Sequence, residues 1–142
     1  MDIYQVLKKD HRTAKALFVK LLQTKLEDKE REDILIRLKT ILATHHENEE
    51  NIFYTALEER HGINRRIENA LEQREQVAYE LEDIDMIRVD DQNWHERISE
   101  LQSYLQDHIK VEETGIFKEA RRVFSAHQAQ ELAQQYLDAK NT

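Results

Sequence analysis

The chain has 142 residues, a formal net charge of −8, two glycines, no proline and no cysteine. This length suits a single domain with one core, which we expect to span residues 1–142. The negative charge argues against a nucleic-acid partner, and the lack of cysteine excludes disulfides and thiolate chemistry. No apolar run is long enough to cross a membrane. Because the N-terminus lacks the pattern of a signal peptide, we expect a cytoplasmic protein.

Apolar residues at helical spacing predict an all-α chain, and the composition offers little turn chemistry for strands. The four long helices are expected, in chain order, at residues 3–25, 29–60 and 64–87 and after a cap at Asp90 or Asp91. Short connections between them imply an antiparallel up-down four-helix bundle with its core in residues 2–120. The second and fourth helices then run parallel and lie diagonally across the core.

Capping residues predict where three helix ends fall. The acidic pair at 27–28 provides a cap for the second helix, and Gly62 is expected to end that helix in a left-handed conformation. A capping box at Ser125-x-x-Gln128 opens a short extra C-terminal helix at 125–139.

One motif, Leu-x3-Leu-x2-His-x3-Glu, occurs twice. Its copies are Leu38-x3-Leu42-x2-His45-x3-Glu49 and Leu101-x3-Leu105-x2-His108-x3-Glu112. Each copy continues a helical seam, so its imidazole and carboxylate should point into the core together with the leucines. Buried polar groups without partners cost several kcal/mol, and two facing pairs bound to a metal avoid that cost. The repeat therefore predicts a metal centre.

A third histidine is predicted on the same layer of the bundle. His11 precedes the first connection by about as many residues as His45 follows it, and antiparallel neighbours place such residues side by side. We therefore expect one inward cluster that contains His11, His45, Glu49, His108 and Glu112. These nitrogen and oxygen ligands suit Fe, Mn or Zn better than Cu(I) or Ca²⁺, and two carboxylates allow bridging between two metals. The alternative is a set of core histidines with ordinary i,i+4 contacts.

The remaining histidines are not expected among the ligands. His46 lies one position off the seam and should be solvated or lie behind the ligands. Five further residues are expected to face solvent, a neighbouring helix or a distant part of the bundle: His61, His95, His127, Glu50 and Glu113.

Three segments carry a resemblance to a known family: Asp10-His11-Arg12, His45-x3-Glu49-Glu50-x-Ile52-Phe53-Tyr54 and His108-x3-Glu112-Glu113-x2-Ile116-Phe117. They resemble the hemerythrin-like, or HHE cation-binding, domain family, and the resemblance covers about residues 2–120. It implies a four-helix bundle that holds a non-haem di-iron centre, with three histidines as terminal ligands and two glutamates as bridges. It also implies binding of O2 or NO, sensing or storage of iron, or a role in iron–sulfur cluster repair.

The chain departs from the family pattern at two places. Thr55 stands where relatives usually have proline, which predicts a straighter second helix. The third helix has Gln73-Arg74-Glu75 where relatives have a histidine. If Arg74 points inward, its guanidinium could pair with a glutamate and take the space of one metal; if Glu75 points inward, oxygen replaces the missing nitrogen. A di-iron site, a mononuclear site and a metal-free polar network all stay open.

The main functional prediction is a cytoplasmic iron-binding protein that binds O2 or NO or senses iron, rather than an enzyme. Binding of O2 or NO needs a dry pocket with a hydrogen-bond donor, which Tyr54, Tyr79 or Tyr104 could supply. A di-iron redox enzyme or an iron donor in cluster repair is the second hypothesis. A metal-free helical interaction module is the third.

Overall fold

The computed structural model of the protein describes residues 1–25, 27–62, 64–84 and 91–141. These residues form five helices and no strand. Helix α1 is Ile3–Leu22, α2 covers residues 30–61, α3 is Arg65–Ile84, α4 covers residues 91–123 and α5 is Ala126–Lys140. The predicted all-α class is confirmed. The predicted end of the third helix at Ile87 and the cap at Asp90 lie outside the described residues.

The helix ends confirm two of the predicted caps and correct a third. Gly62 follows α2 with a φ of 78°, and Ser125 caps α5 through a capping box with Gln128. The pair at 27–28 does not cap α2, because Lys29 is the capping residue and makes no side-chain bond. Asp28 instead accepts a hydrogen bond of 2.8 Å from the backbone N–H of Lys25, so it closes the turn before the helix.

The long helices pack in the order of a four-helix bundle. Helix α1 lies against α2 and α4, and α3 lies against α4 and α2, so α2 and α4 occupy diagonal positions over most of their length. Helix α5 packs across α1 and α2. No helix in the described parts of the chain combines the length and the apolar character that a membrane span requires.

Both helices that carry the repeated motif widen at its glutamate. In α2 the α-helical segments Glu30–Asn48 and Thr55–His61 flank a π-helical segment, Glu49–Tyr54. In α4 the segments Asp91–Val111 and Phe117–Val123 flank Glu112–Ile116. The sequence analysis predicted helices over these residues but did not predict the wide turns. A wide turn adds a residue to the inward face, and such turns are often found at functional sites.

A polar layer divides the interior of the bundle into two apolar clusters. On α1, Leu7 belongs to one cluster and Ala14 to the other, and the buried side chains of Asp10 and His11 lie between them. The other buried polar groups at this level come from three helices: His45, Glu49, Arg74, His108 and Glu112. Apolar packing above and below thus keeps this layer away from bulk water.

Candidate metal centre

Four of the five predicted ligands meet in the polar layer. His11, His45, Glu49 and Glu112 are all buried, and one ligand atom of each lies within 4.8 Å of the others. The Nε2 atom of His11 is 3.1 Å from Glu112 Oε1, and Nε2 of His45 is 3.4 Å from Glu49 Oε2. Helices α1, α2 and α4 therefore each contribute to one compact set of nitrogen and oxygen atoms.

The fifth predicted ligand, His108, lies beside this set rather than within it. Its side chain is buried, with Nε2 3.7 Å from Glu112 Oε2. Its other ring nitrogen, Nδ1, is 3.1 Å from Gln73 Oε1 on α3. His108 therefore contacts the four-residue set through Glu112 and is held on its other side by Gln73.

The carboxylates of the cluster fit a bound cation. Both oxygens of Glu49 and the Oε1 atom of Glu112 are buried without a hydrogen-bond partner among the described residues. Buried carboxylate oxygens normally accept hydrogen bonds, and leaving them unpaired in a low-dielectric interior is costly. A metal ion bound to these oxygens and to the two imidazoles removes that cost, and the ligand set suits iron, manganese or zinc.

Outer hydrogen bonds fix the orientation of the two inner histidines. His45 Nδ1 lies 3.0 Å from Asp10 Oδ2 and 2.8 Å from Tyr136 Oη. His11 Nδ1 lies 2.6 Å from Glu113 Oε2, so Glu113 faces the neighbouring helix, as the sequence predicted. When the outer nitrogen of an imidazole donates to such a partner, the inner nitrogen is free to bind a metal.

Arg74 brings a positive charge to the opposite edge of the cluster. Its side chain is buried, and its Nε is 3.9 Å from Glu49 Oε1. It also donates a hydrogen bond to the carbonyl oxygen of His46 and lines a groove of about 240 Å³ between α2 and α3. Of the two alternatives for this helix, the inward arginine is therefore the one observed, because Glu75 is exposed.

In the absence of a metal, the carboxylates and imidazoles hold protons between them. Burial lowers the pKa of His11, but the neighbouring carboxylates of Glu112 and Glu113 outweigh burial and raise that pKa to about 10. Burial and the charge of Glu112 raise the pKa of Glu49 to about 7. Burial also opposes ionisation of Glu112, yet the imidazole of His11 beside it holds the pKa of Glu112 well below the usual range. A metal must therefore displace the proton of His11 when it binds.

The comparisons with known proteins agree with this arrangement. The sequence profile of one protein family, the hemerythrin HHE cation binding domain, matches residues 2–120. The chain belongs to this family. It is therefore an HHE domain with a buried His/Glu group that could bind metal.

A solved structure and a curated relative are similar to this HHE domain over almost its whole length. The crystal structure of an HHE cation-binding domain-containing protein from Mycobacterium kansasii superposes with a TM-score of 0.85. That match has 21% identity and covers 99% of this chain and 86% of the other, so it supports the fold. A DNA nickase from Nostoc sp. is 26% identical over 141 residues. This chain spans 40% of the nickase's length, so the match concerns part of that protein.

The other histidines of the HHE domain differ in their distance from the cluster. The half-buried ring of His46 lies behind the site, with its centroid 5.6 Å from that of His45 and 6.3 Å from that of His108. His61 and His127 are exposed, and His95 lies next to the backbone of Thr24. These positions agree with the sequence prediction.

Among the three candidate tyrosine donors, only Tyr54 reaches the cluster. Its hydroxyl donates a hydrogen bond of 2.6 Å to Glu112 Oε2. Tyr79 and Tyr104 are 67% and 37% exposed and were wrong candidates, because their positions on α3 and α4 face outward.

The sequence prediction missed three groups that contact the histidines: Asp10, Gln73 and Tyr136. Asp10 directly precedes His11, but nothing in the spacing indicated that it would face His45. Tyr136 follows Ala129, Leu132 and Ala133 at helical spacing, and this stripe marks it as an inward residue of α5. The residue it contacts could not be read from the stripe, because the docking of α5 depends on the tertiary fold.

Proposed function

We propose that this protein is a non-haem iron protein that binds O2 or NO, or responds to iron, at the centre in its bundle core. The observation that carries the proposal is that both oxygens of Glu49 and Oε1 of Glu112 are buried without a hydrogen-bond partner in the described parts of the chain, beside the imidazoles of His11 and His45. These four side chains would hold the iron, and His108 would complete its ligands. Bound iron would supply a coordination position for a small diatomic ligand.

The surrounding side chains suit a dry binding pocket. Phe53 and Phe117 are fully buried, and the ring of Phe117 stacks against that of His11 at 6.4 Å. Tyr54 orients Glu112 through its hydroxyl. In such a pocket water is excluded from the ligands, so a bound metal exchanges its small ligand without competition from many solvent molecules.

Arg74 favours one iron per chain over two. An arginine stays protonated at all physiological pH values, and its guanidinium already lies 3.9 Å from Glu49 Oε1. A second divalent metal bound to this oxygen would face that charge at close range in a medium of low dielectric constant. We therefore infer that the guanidinium takes the place of the second metal of a di-iron centre.

Metal analysis and a visible spectrum test both the binding of iron and the number of irons per chain. The protein is purified without oxygen from iron-replete cells. We expect about one iron per chain in the natural protein and in the charge-conserving variant Arg74→Lys. We expect about two in Arg74→His, which adds a ligand and removes the charge. Two irons in the natural protein would refute the inferred count. No iron, together with a melting temperature that chelators leave unchanged, would refute iron binding and indicate a metal-free interaction module.

The activity in the name of the Nostoc relative is not proposed for this chain. DNA binding needs a clustered basic surface that neutralises phosphates, and this chain carries a net charge of −8.

A further inference from the structure

The C-terminal helix α5 lies beyond the segment that matches the family, yet it reaches the metal centre. Tyr136 is fully buried, and its Oη is 2.8 Å from Nδ1 of His45. Its hydroxyl also donates a hydrogen bond to Oδ2 of Asp10. One turn further along α5, Nζ of Lys140 is 2.5 Å from Oδ1 of Asp10.

These contacts give each oxygen of Asp10 a partner on α5. Oδ2 faces both the Tyr136 hydroxyl and Nδ1 of His45, and Oδ1 faces the Lys140 ammonium. A tyrosine hydroxyl donates one hydrogen bond and accepts others, so Tyr136 can donate to Asp10 and accept from His45 at the same time. The carboxylate of α1, the imidazole of α2 and the two side chains of α5 thus form one buried network.

The network determines which nitrogen of His45 is available to a metal. Both Asp10 and the Tyr136 oxygen accept the proton on Nδ1, which leaves the lone pair on Nε2, the nitrogen that lies 3.4 Å from Glu49. A carboxylate behind a ligating histidine fixes its tautomer and ring orientation, and loss of such support typically weakens metal binding by about 10- to 100-fold. Here the support itself depends on α5, because Tyr136 and Lys140 hold the carboxylate in place.

We propose that α5 is a positioning element of the metal centre, so that its docking on α1 and α2 and metal binding by His45 strengthen each other. This inference rests on the proposed function of the site. Thermodynamic linkage requires the effect to be mutual: if docked α5 raises metal affinity, bound metal must stabilise docked α5 by the same factor. A merely structural role of α5, the burial of its apolar stripe, predicts no such coupling.

Metal affinity tests the first half of the proposal. Zinc or cobalt affinity is measured by chelator competition on the full chain, with Tyr136→Phe and Lys140→Gln as the test variants. We expect Tyr136→Phe to weaken binding by about 10-fold or more and Lys140→Gln by a smaller factor. Lys140 is partly exposed, so its variant tests the network without opening the core.

Two control variants separate positioning from general stability. Tyr4→Phe removes a buried hydroxyl that has no hydrogen-bond partner in the described part of the chain. Lys20→Gln removes a lysine from the last turn of α1, as Lys140→Gln does on α5, so both lose the same interaction with the helix dipole. Both controls should bind metal like the natural protein. Test variants that bind as tightly as their controls would overturn the role of α5.

Hydrogen exchange tests the reciprocal half. Zinc should slow amide exchange across Ala126–Lys140 in the natural protein, and this protection should shrink in Tyr136→Phe. Exchange in α5 that zinc leaves unchanged would overturn the proposal. The ¹⁵N shifts of the His45 ring, measured in zinc-loaded natural protein and in zinc-loaded Tyr136→Phe, give a further readout. If the role of α5 is purely structural, the tautomer of His45 is the same in these two proteins. If the natural protein bound no zinc, cobalt or iron, the proposed function itself would fail.

Discussion

The two copies of the Leu-x3-Leu-x2-His-x3-Glu motif have the same spacing but unlike surroundings. In the copy on α2, His45 is held by Asp10 and Tyr136, while both oxygens of Glu49 lack a hydrogen-bond partner among the described residues. In the copy on α4, Nδ1 of His108 lies next to the amide oxygen of Gln73, while Glu112 accepts a hydrogen bond from Tyr54. One copy thus has a well-supported imidazole, and the other has a well-supported carboxylate.

The different partners shift the pKa values of the two imidazoles in opposite directions. Burial lowers the pKa of both histidines. At His45 the charge of Glu49 and the bond to Asp10 outweigh burial and raise the pKa. At His108 burial prevails, and the pKa falls to about 4. A repeated sequence motif therefore defines equivalent positions in the bundle but not equivalent chemistry.

The largest expected effect is on metal retention. His45→Ala should abolish it, because the variant loses an inner ligand whose outer nitrogen is already fixed. His108→Ala should retain metal with lower affinity, since its ring lies outside the compact set of four residues. The sequence alone predicts equal loss in both variants. Metal analysis after dialysis measures the difference, with the exposed His127→Ala as the control; equal loss in both variants would make the two copies equivalent after all.

The apolar halves of the two copies should behave alike. Leu38 and Leu101 are both buried in the same apolar cluster. Leu38→Ala and Leu101→Ala should each lower the free energy of unfolding by about 2–5 kcal/mol, the usual cost of a large-to-small change in a core. Urea denaturation of the metal-free protein measures both. A gap between them larger than about 2 kcal/mol would show that the asymmetry extends into the leucine seam.

The lowered pKa of His108 predicts a pH dependence of the metal-free protein. The unfolded chain takes up a proton near the ordinary histidine pKa of 6.5, whereas the native state does so near 4. This contribution to stability is therefore complete above pH 6.5 and is lost as the pH falls towards 4, by roughly 3 kcal/mol at most. In His108→Gln this loss should be absent, so its unfolding free energy should fall less over that range. Parallel curves for both proteins would contradict the prediction.

The smallest effect is expected from a third His-x3-Glu pair that lies on the surface. His127 Nε2 is 2.9 Å from Glu131 Oε1 on α5, but their side chains are 78% and 58% exposed. His127→Ala should change the free energy of unfolding by less than about 0.5 kcal/mol, because water and salt screen exposed pairs. A larger change in thermal or urea denaturation would mean that burial is not what distinguishes the two inner copies.

The sequence alone was enough to predict the helical bundle and most residues of the candidate site. Helical spacing of apolar residues indicated the long helices, and the interrupted leucine seams placed His45, Glu49, His108 and Glu112 on inward faces. Counting residues from the first connection added His11. These inferences succeed because the 3.6-residue period and short connections leave little freedom in which face is buried and which layer a residue joins.

The partners of those residues were decided by the tertiary structure. Residues 45 and 108 occupy equivalent positions in the sequence repeat, but α5 packs over α1 and α2 and brings Tyr136 to His45. Lys140 on the same helix contacts Asp10, the carboxylate that supports His45. The wide turns at Glu49 and Glu112 and the inward guanidinium of Arg74 were likewise fixed by packing between helices. Periodicity along one helix states which face is buried, whereas hydrogen bonds, pKa shifts and the number of metals depend on what other helices bring to that face.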